Sequence, residues 1–317
     1  MNLCGLILPK KKLIGKKFPL TPQQLVIYNG YIKNPKNTVY NISFMFHLKK
    51  NIDMEKLKFS LFELIKRNKV FQSKYITIKD TDKNTFNVFG LIEDDCTLKF
   101  ENYTYNNCKK FVRPFDLGKA PLIRVGFIEN DIILFDIHHI IFDGLSVSLV
   151  HRELNNYYYN KIPNGNPIQF SDYAIDFRNT LKRKNLNDQI EFYKKMFNNN
   201  KNYNILNFPK KDTSYKSNEL KNKPEFNENE IGKLSKIIKQ DTAKIINKYI
   251  EKNGVNKVAF FISIYGYIMS KYSGQSTIYT SILDTNRNNV TTKNLIGLLE
   301  DIKPLLIKYW SYYLYII

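Results

Sequence analysis

The segment His138-His139-Ile140-Ile141-Phe142-Asp143-Gly144 carries the residues of this chain best suited to chemistry. An imidazole titrates near neutrality, so a histidine beside a reacting amine can take its proton or hold it by a hydrogen bond. Neighbouring residues of a strand point to opposite faces, so at most one of the two histidines faces a given cavity. Asp143 and Gly144 suit a sharp turn into a following helix, and glycine there tolerates close backbone approach. On these residues alone a second reading stays open, in which the histidines belong to the core and the aspartate caps a helix.

The elements that must position this segment can be read from periodicity. Leu122 to Ile128 and Ile132 to His139 read as strands flanking the hairpin signal Glu129-Asn130-Asp131. In the second strand Ile133, Phe135, Ile137 and His139 share one face, and Ile132, Leu134, Asp136 and His138 the other. Beyond Gly144, the spacing of Val147, Val150, Leu154 and Tyr157 is helical. Upstream, Thr21-Pro22-Gln23-Gln24 has the form of a capping box, and Asp53 can cap a helix carrying Met54, Leu57, Leu61 and Leu64. Val70 to Ile78 reads as a strand. Tyr158 to Asn166 and Asn198 to Lys223 have loop composition. Helical periodicity resumes at Ile231 and runs to Gly254. Val258 to Met269 reads as a buried core helix ending before Gly274, and Thr277 to Leu283 as a strand. The class is mixed α/β, in two lobes.

Composition narrows the function classes. The chain has 317 residues, 49 Lys and Arg against 29 Asp and Glu, and a formal net charge of +20. The basic residues are scattered, clustering only at Lys10 to Lys12, with Lys16 and Lys17 nearby, and at Lys182 to Lys184. No recognition helix, zinc-finger spacing or RNA-binding aromatic signature accompanies them, so a solvated basic surface is expected and no nucleic-acid site. Such a field favours an acidic protein partner. Cys4, Cys96 and Cys108 form no CxxC pair, which argues for a reducing, cytoplasmic setting and against a zinc site. The N-terminus carries no recognisable export address, and no stretch is long and apolar enough to span a membrane.

HHxxxDG, together with several elements in fixed order, resembles the condensation domains of nonribosomal peptide synthetases. Pro19-Leu20-Thr21-Pro22-Gln23-Gln24 is similar to that family's opening motif. Arg113-Pro114-Phe115-Asp116-Leu117 and Ala120-Pro121-Leu122-Ile123-Arg124 resemble its PFDL…PLLR stretch. Arg152-Glu153-Leu154, Ser171-Asp172-Tyr173-Ala174, Tyr272-Ser273-Gly274-Gln275, Arg287-Asn288-Asn289 and Ile296-Gly297 resemble the later elements. The resemblance runs from about Phe18 to about Leu306.

The resemblance implies two chloramphenicol acetyltransferase-like lobes forming a V around a tunnel, here 1–176 and a partial second lobe 177–317. It implies acyl transfer: the amine of an acceptor aminoacyl thioester attacks a donor thioester, both delivered on phosphopantetheine arms of carrier proteins. Those donor and acceptor carrier proteins are the expected partners, with an adenylation domain or other synthetase modules beside them; no metal or bound organic cofactor is implied. His139 matches the histidine that accepts a proton from the amine or positions it, whereas His138 faces away and is structural. Gly144 N–H is a candidate oxyanion donor. Asp143 matches a position that pairs with an arginine; Arg67 and Arg287 are the candidates, Arg67 preferred for its place in an RHExLRT-like segment.

Four departures stand out. The RHExLRT-like segment has Asn68 and Gln72 for its histidine and second arginine. Phe142 and Leu145 replace the commoner small residue and tryptophan around DG. Leu298 to Lys303 includes Glu300 and Asp301 where an apolar run ending in Asn-Thr is expected. The resemblance ends after Ile307, so an incomplete second lobe is expected. The tail Trp310 to Ile317 has the composition of an aggregation-prone strand, with packing as a final strand as the alternative. Two function classes follow: an active condensation enzyme, or an inactive remnant or carrier-protein-binding module. A free coenzyme A-dependent acyltransferase of the same superfamily is a third, disfavoured by the paired histidine and YSGQ.

Overall fold

A computed structural model describes residues 17–80, 85–94, 96–161, 165, 167–183, 185–198, 206, 235–310 and 313–316. The chain divides into two compact units, one of Met1–Leu186 with Leu283–Ile302, the other of Asn187–Ile282 with Lys303–Ile317. The expected division at 176/177 falls inside a helix, Phe170–Arg183, whose Phe170, Tyr173 and Ala174 are buried in the first unit's core.

In the first unit, Lys17–Pro19 (β1) leads into Pro22–Lys33 (α1), whose start is the expected capping box. Thr21 Oγ1 accepts from Gln24 N–H and the Gln24 side chain accepts from Thr21 N–H, satisfying two donors a helix start leaves open. Asn41–His47 (β2) precedes Met54–Arg67 (α2), capped by Asp53 as expected. Lys69–Gln72 form a 3₁₀ turn where a strand was expected, and the strand Ser73–Asp80 (β3) begins only afterwards. The asparagine at 68 accounts for this: its side chain donates to Leu64 O, ending α2 and leaving a tight turn beyond. Thr85–Ile92 (β4), Phe100–Tyr103 (β5), Ile123–Ile128 (β6) and Ile132–His138 (β7) follow, then Ser146–Tyr158 (α3) and Phe170–Arg183 (α4).

The site rests on the sheet β2-β7-β6-β5, antiparallel except for the parallel pair β5 and β6. Asn41 lies opposite His138 and Phe44 opposite Phe135 in the β2–β7 register. The β6–β7 hairpin turns through Glu129 and Asn130, both at positive φ (48° and 60°), which matches the right-handed twist of the strands. β7 is buried on both faces except at Leu134, so it reads as the central strand it is. A second sheet, β1-β4-β3, completes the unit's strands. The core gathers Leu57, Leu61 and Leu64 of α2, Phe135 and Ile137 of β7, Val150 of α3, and Leu295, Ile296 and Leu299 of the returning segment.

The second unit contains Asn187–Asn198 (α5), Gln240–Lys252 (α6) and Lys257–Ser273 (α7). It also holds the sheet β10-β9-β8, built from Thr277–Asp284 (β8), Asp301–Trp310 (β9) and Tyr313–Ile316 (β10). α6 begins at Gln240, not at the expected Ile231: residues 235–239 are extended or irregular, and 231–234 lie outside the described residues. α7 ends on Gly274 in the left-handed conformation, as its sequence predicts. It is not the fully buried helix expected. Only Gly266 is buried, where a Cβ would come within 2.7 Å of Ile307, while Val258, Phe261, Ile264, Tyr267 and Tyr272 are exposed. Ile262 and Met269 alone of this helix join the small core of Ile278, Leu305 and Ile307. Part of the tail, Tyr313–Ile316, pairs antiparallel with β9 as a final strand.

Candidate functional site

β7 delivers the paired histidines and ends on the first of them. His138 is the strand's last residue, and His139–Ile141 turn in a 3₁₀ helix, so the expectation that His139 lies on the strand is corrected by one residue. The cause is local: His138 Nδ1 accepts from Ile140 N–H at 3.1 Å, capping the turn that carries His139 out of the ladder. With that acceptor role, neutral His138 keeps its proton on Nε2. Tyr31, Tyr40 and Phe115 surround the ring at centroid distances of 6.0–6.2 Å. Burial, then the neighbouring His139 and Arg124 charges, depress its pKa to about 3, so it stays neutral. His138 is therefore a buried, neutral imidazole that accepts a hydrogen bond within the turn.

His139 is half-buried. Its backbone N–H donates to Tyr40 O at 2.7 Å, and Nδ1 lies 2.7 Å from Phe142 O. A carbonyl can only accept, so Nδ1 carries the proton. In the neutral ring Nε2 then has its lone pair, with no partner among the described residues.

Ile140, between these groups and Asp143, is held from below. Gln24 Nε2 donates to Ile140 O and to Tyr75 Oη, both at 2.8 Å, and Gln24 is fully buried. Burial pushes the Tyr75 hydroxyl well above its ordinary range, so it serves as a neutral hydrogen-bonding group. Gln24 stood in a quoted motif, but its reach to the histidine turn could not be read from sequence, because 116 positions separate it from Ile140.

Asp143 is a buried hub. Oδ1 accepts from Ser146 N–H (2.9 Å) and Ser146 Oγ–H (2.7 Å); Oδ2 accepts from Leu299 N–H (3.0 Å) and Glu300 N–H (3.4 Å). Its arginine is Arg287, whose Nη1 and Nη2 reach Oδ2 and Oδ1 at 2.7 and 3.0 Å. Arg287 Nη2 also lies within reach of Ser146 Oγ and the carbonyls of Leu295 and Gly297. The preference for Arg67 is thus overturned. Arg67 ends α2 and donates to Gly165 O at 2.7 Å. Gln72 and Asn68, the other departures in that segment, are buried and donate outside it: Gln72 to Ile65 O, Asn68 to Leu64 O and to Glu153 Oε2 on α3. Ser146, missed in the sequence, is part of this hub.

The departures around DG are accommodated differently. Phe142 is fully buried and stacks on Phe44 at 6.0 Å, so the larger residue fills core space, while Leu145 is exposed. Gly144 stands exposed at the head of α3; its carbonyl accepts from Val147 N–H, and its own N–H has no partner among the described residues.

Gly297 carries the returning segment past α4 at φ 155°, a conformation that favours glycine, and any Cβ there would collide with the Phe170 ring. That close approach places Leu299 and Glu300 under Asp143.

The Condensation domain family model matches residues 14–310. Bacitracin synthase 2 of Bacillus licheniformis is 25% identical over 291 residues, covering 89% of this chain and 10% of the synthase. Tyrocidine synthase 2 of Brevibacillus parabrevis is 23% identical over 269 residues, covering 84% of this chain and 7% of that synthase. The chain thus spans about a tenth of the length of the curated relatives it matches, or less. Among solved structures, the condensation domain from the Monacolin K polyketide synthase MokA superposes with a TM-score of 0.76 at 15% identity, over 93% of this chain and 68% of that one. The X-domain from teicoplanin biosynthesis gives a TM-score of 0.72 at 15% identity, over 95% and 68%.

Proposed function

The chain belongs to the Condensation domain family, and from that membership we propose that it forms amide bonds between aminoacyl or peptidyl thioesters carried on phosphopantetheine arms. The observation that carries the reading is the His139 tautomer. With Nδ1–H engaged by Phe142 O, Nε2 is left with a lone pair able to accept a proton. Tethering both substrates supplies the largest share of the rate, since orientation replaces a bimolecular encounter. The acceptor nitrogen then attacks the donor carbonyl, His139 Nε2 takes its proton, and Gly144 N–H holds the oxygen of the tetrahedral intermediate. Collapse breaks the C–S bond, and the departing thiolate recovers a proton from the imidazolium. The donor carrier leaves as free thiol and the acceptor carrier keeps the amide product.

In this reading Asp143, Arg287, Ser146 and Gln24 act through the turn, not on the substrate. Donor and acceptor carrier proteins are the proposed partners, and other synthetase modules their context. A reducing, cytoplasmic setting is part of this proposal, on the unpaired cysteine spacing of the sequence.

The test is amide formation between two loaded carrier proteins by the full polypeptide. His139→Ala should lower the rate by about a hundredfold or more, the usual range for a lost acid–base group, with the fold retained by circular dichroism. His138→Asn should keep most of it. Undiminished turnover in the His139 variant would overturn the assignment.

A further inference from the structure

Glu300 lies where the sequence resemblance led to an apolar residue. Its place is fixed twice. Its backbone N–H, with that of Leu299, donates to Asp143 Oδ2, so the carboxylate that closes the histidine turn also sets this residue. Its side chain ends close to Gly144, with Oε1 3.3 Å from where a Cβ on that residue would stand.

The charge at this spot is uncompensated. Asp143 is neutralised by Arg287, whereas Glu300, half-buried, has no ion pair or side-chain hydrogen bond among the described residues. A half-buried carboxylate left unpaired is stabilised by any cation or N–H donor that reaches it.

Of the groups the proposed reaction brings to this turn, one has that chemistry. The donor thioester is neutral and presents neither a cation nor an N–H donor. The acceptor amine arrives as an ammonium or an N–H donor, and on attacking the carbonyl its nitrogen gains positive charge before proton loss. A carboxylate beside Gly144 favours both states of the nitrogen. We propose that Glu300 is the ligand of the acceptor amine, accepting a hydrogen bond from its N–H and holding the nitrogen for attack while His139 removes the proton. This inference rests on the amide-forming reading above. It adds a specificity: an acceptor is recognised by its free amine and not only by its arm.

The experiment is equilibrium binding of two unreactive probes to the full chain, an aminoacyl-pantetheine with amide in place of thioester, and its counterpart lacking the α-amine. The wild type should bind the amine-bearing probe roughly tenfold or more tightly, the scale of a hydrogen bond to a charged group. In Glu300→Gln, nearly the same shape without charge, that preference should fall to about twofold or less, and Glu300→Asp should restore part of it. Affinity for the probe without the amine should stay unchanged, a control that a merely folded-state role would not satisfy. If Glu300→Gln keeps the full preference, the inference fails while the amide-forming reading stands. If the wild type binds neither probe, that reading itself is overturned, and the inference with it.

Discussion

Arg287 grips both carboxylate oxygens of Asp143, at 2.7 and 3.0 Å, across 144 positions of sequence, with both side chains buried. A buried pair of this kind is weak evidence of net stabilisation, but it makes each partner costly to remove alone. Arg287→Met should therefore cost about 3–5 kcal/mol by leaving a buried charge unpaired. Combining it with Asp143→Asn should recover part of that loss. Urea denaturation of the single and double variants measures this, and losses that simply add would show the two groups to be energetically independent.

Acid should weaken the fold through His138. Its pKa is depressed to about 3 in the folded chain, against about 6.5 for a free histidine. Between those values the unfolded chain binds one more proton at this position. Stability is thus complete above the free value and falls as pH drops, by about 1.4 kcal/mol per unit from this group. His138→Asn offers an acceptor to Ile140 N–H but does not titrate. Its acid-unfolding midpoint should lie at lower pH than that of the wild type, and an unchanged midpoint would refute the account.

Packing at Gly297 gives a third prediction. Gly297→Ala places a methyl group against the Phe170 ring on backbone that alanine rarely adopts. A loss of about 1–3 kcal/mol is expected, as for overpacking elsewhere. Phe170→Leu in the same protein should return part of the loss, and a thermal melt that does not move on Gly297→Ala would contradict it.

Association with carrier proteins should be sensitive to salt. The chain's formal charge is +20, and exposed charges more than about 10 Å apart are largely screened at 0.1 M ionic strength. Titrating an acidic carrier at low and moderate ionic strength should show weakening affinity and a slower on-rate. Insensitivity to salt, or tight salt-sensitive binding to DNA instead, would count against the proposed partners.

Much of the site was legible because it is contiguous. His138 through Gly144 lie in one segment, and the capping box at Thr21 and the cap at Asp53 are local patterns with local causes. What escaped the sequence was long-range choice. Nothing in the spacing distinguishes Arg67 from Arg287 as the partner of Asp143; the decision is made by the segment 283–302 returning to the first unit. His139 leaves the strand because of a side-chain acceptor one residue before it, which periodicity does not encode. α7 looked buried because it is apolar on all sides, yet its residues in the core of β8 and β9 are few. Glu300 looked like a deviation, and its backbone bond to Asp143 and its nearness to Gly144 give it a place.

The pairing of Asp143 with Arg287 also orders events during synthesis. A ribosome adding about 5–20 residues per second makes the histidine turn well before its arginine: the intervening 144 positions take about 7 to 30 seconds. Through that interval strands β2 to β7 can pair, but Asp143 has only Ser146 to answer it. The turn that presents His139 therefore locks last, when residues 287–300 arrive. A nascent chain released before that point holds the histidine motif without the geometry.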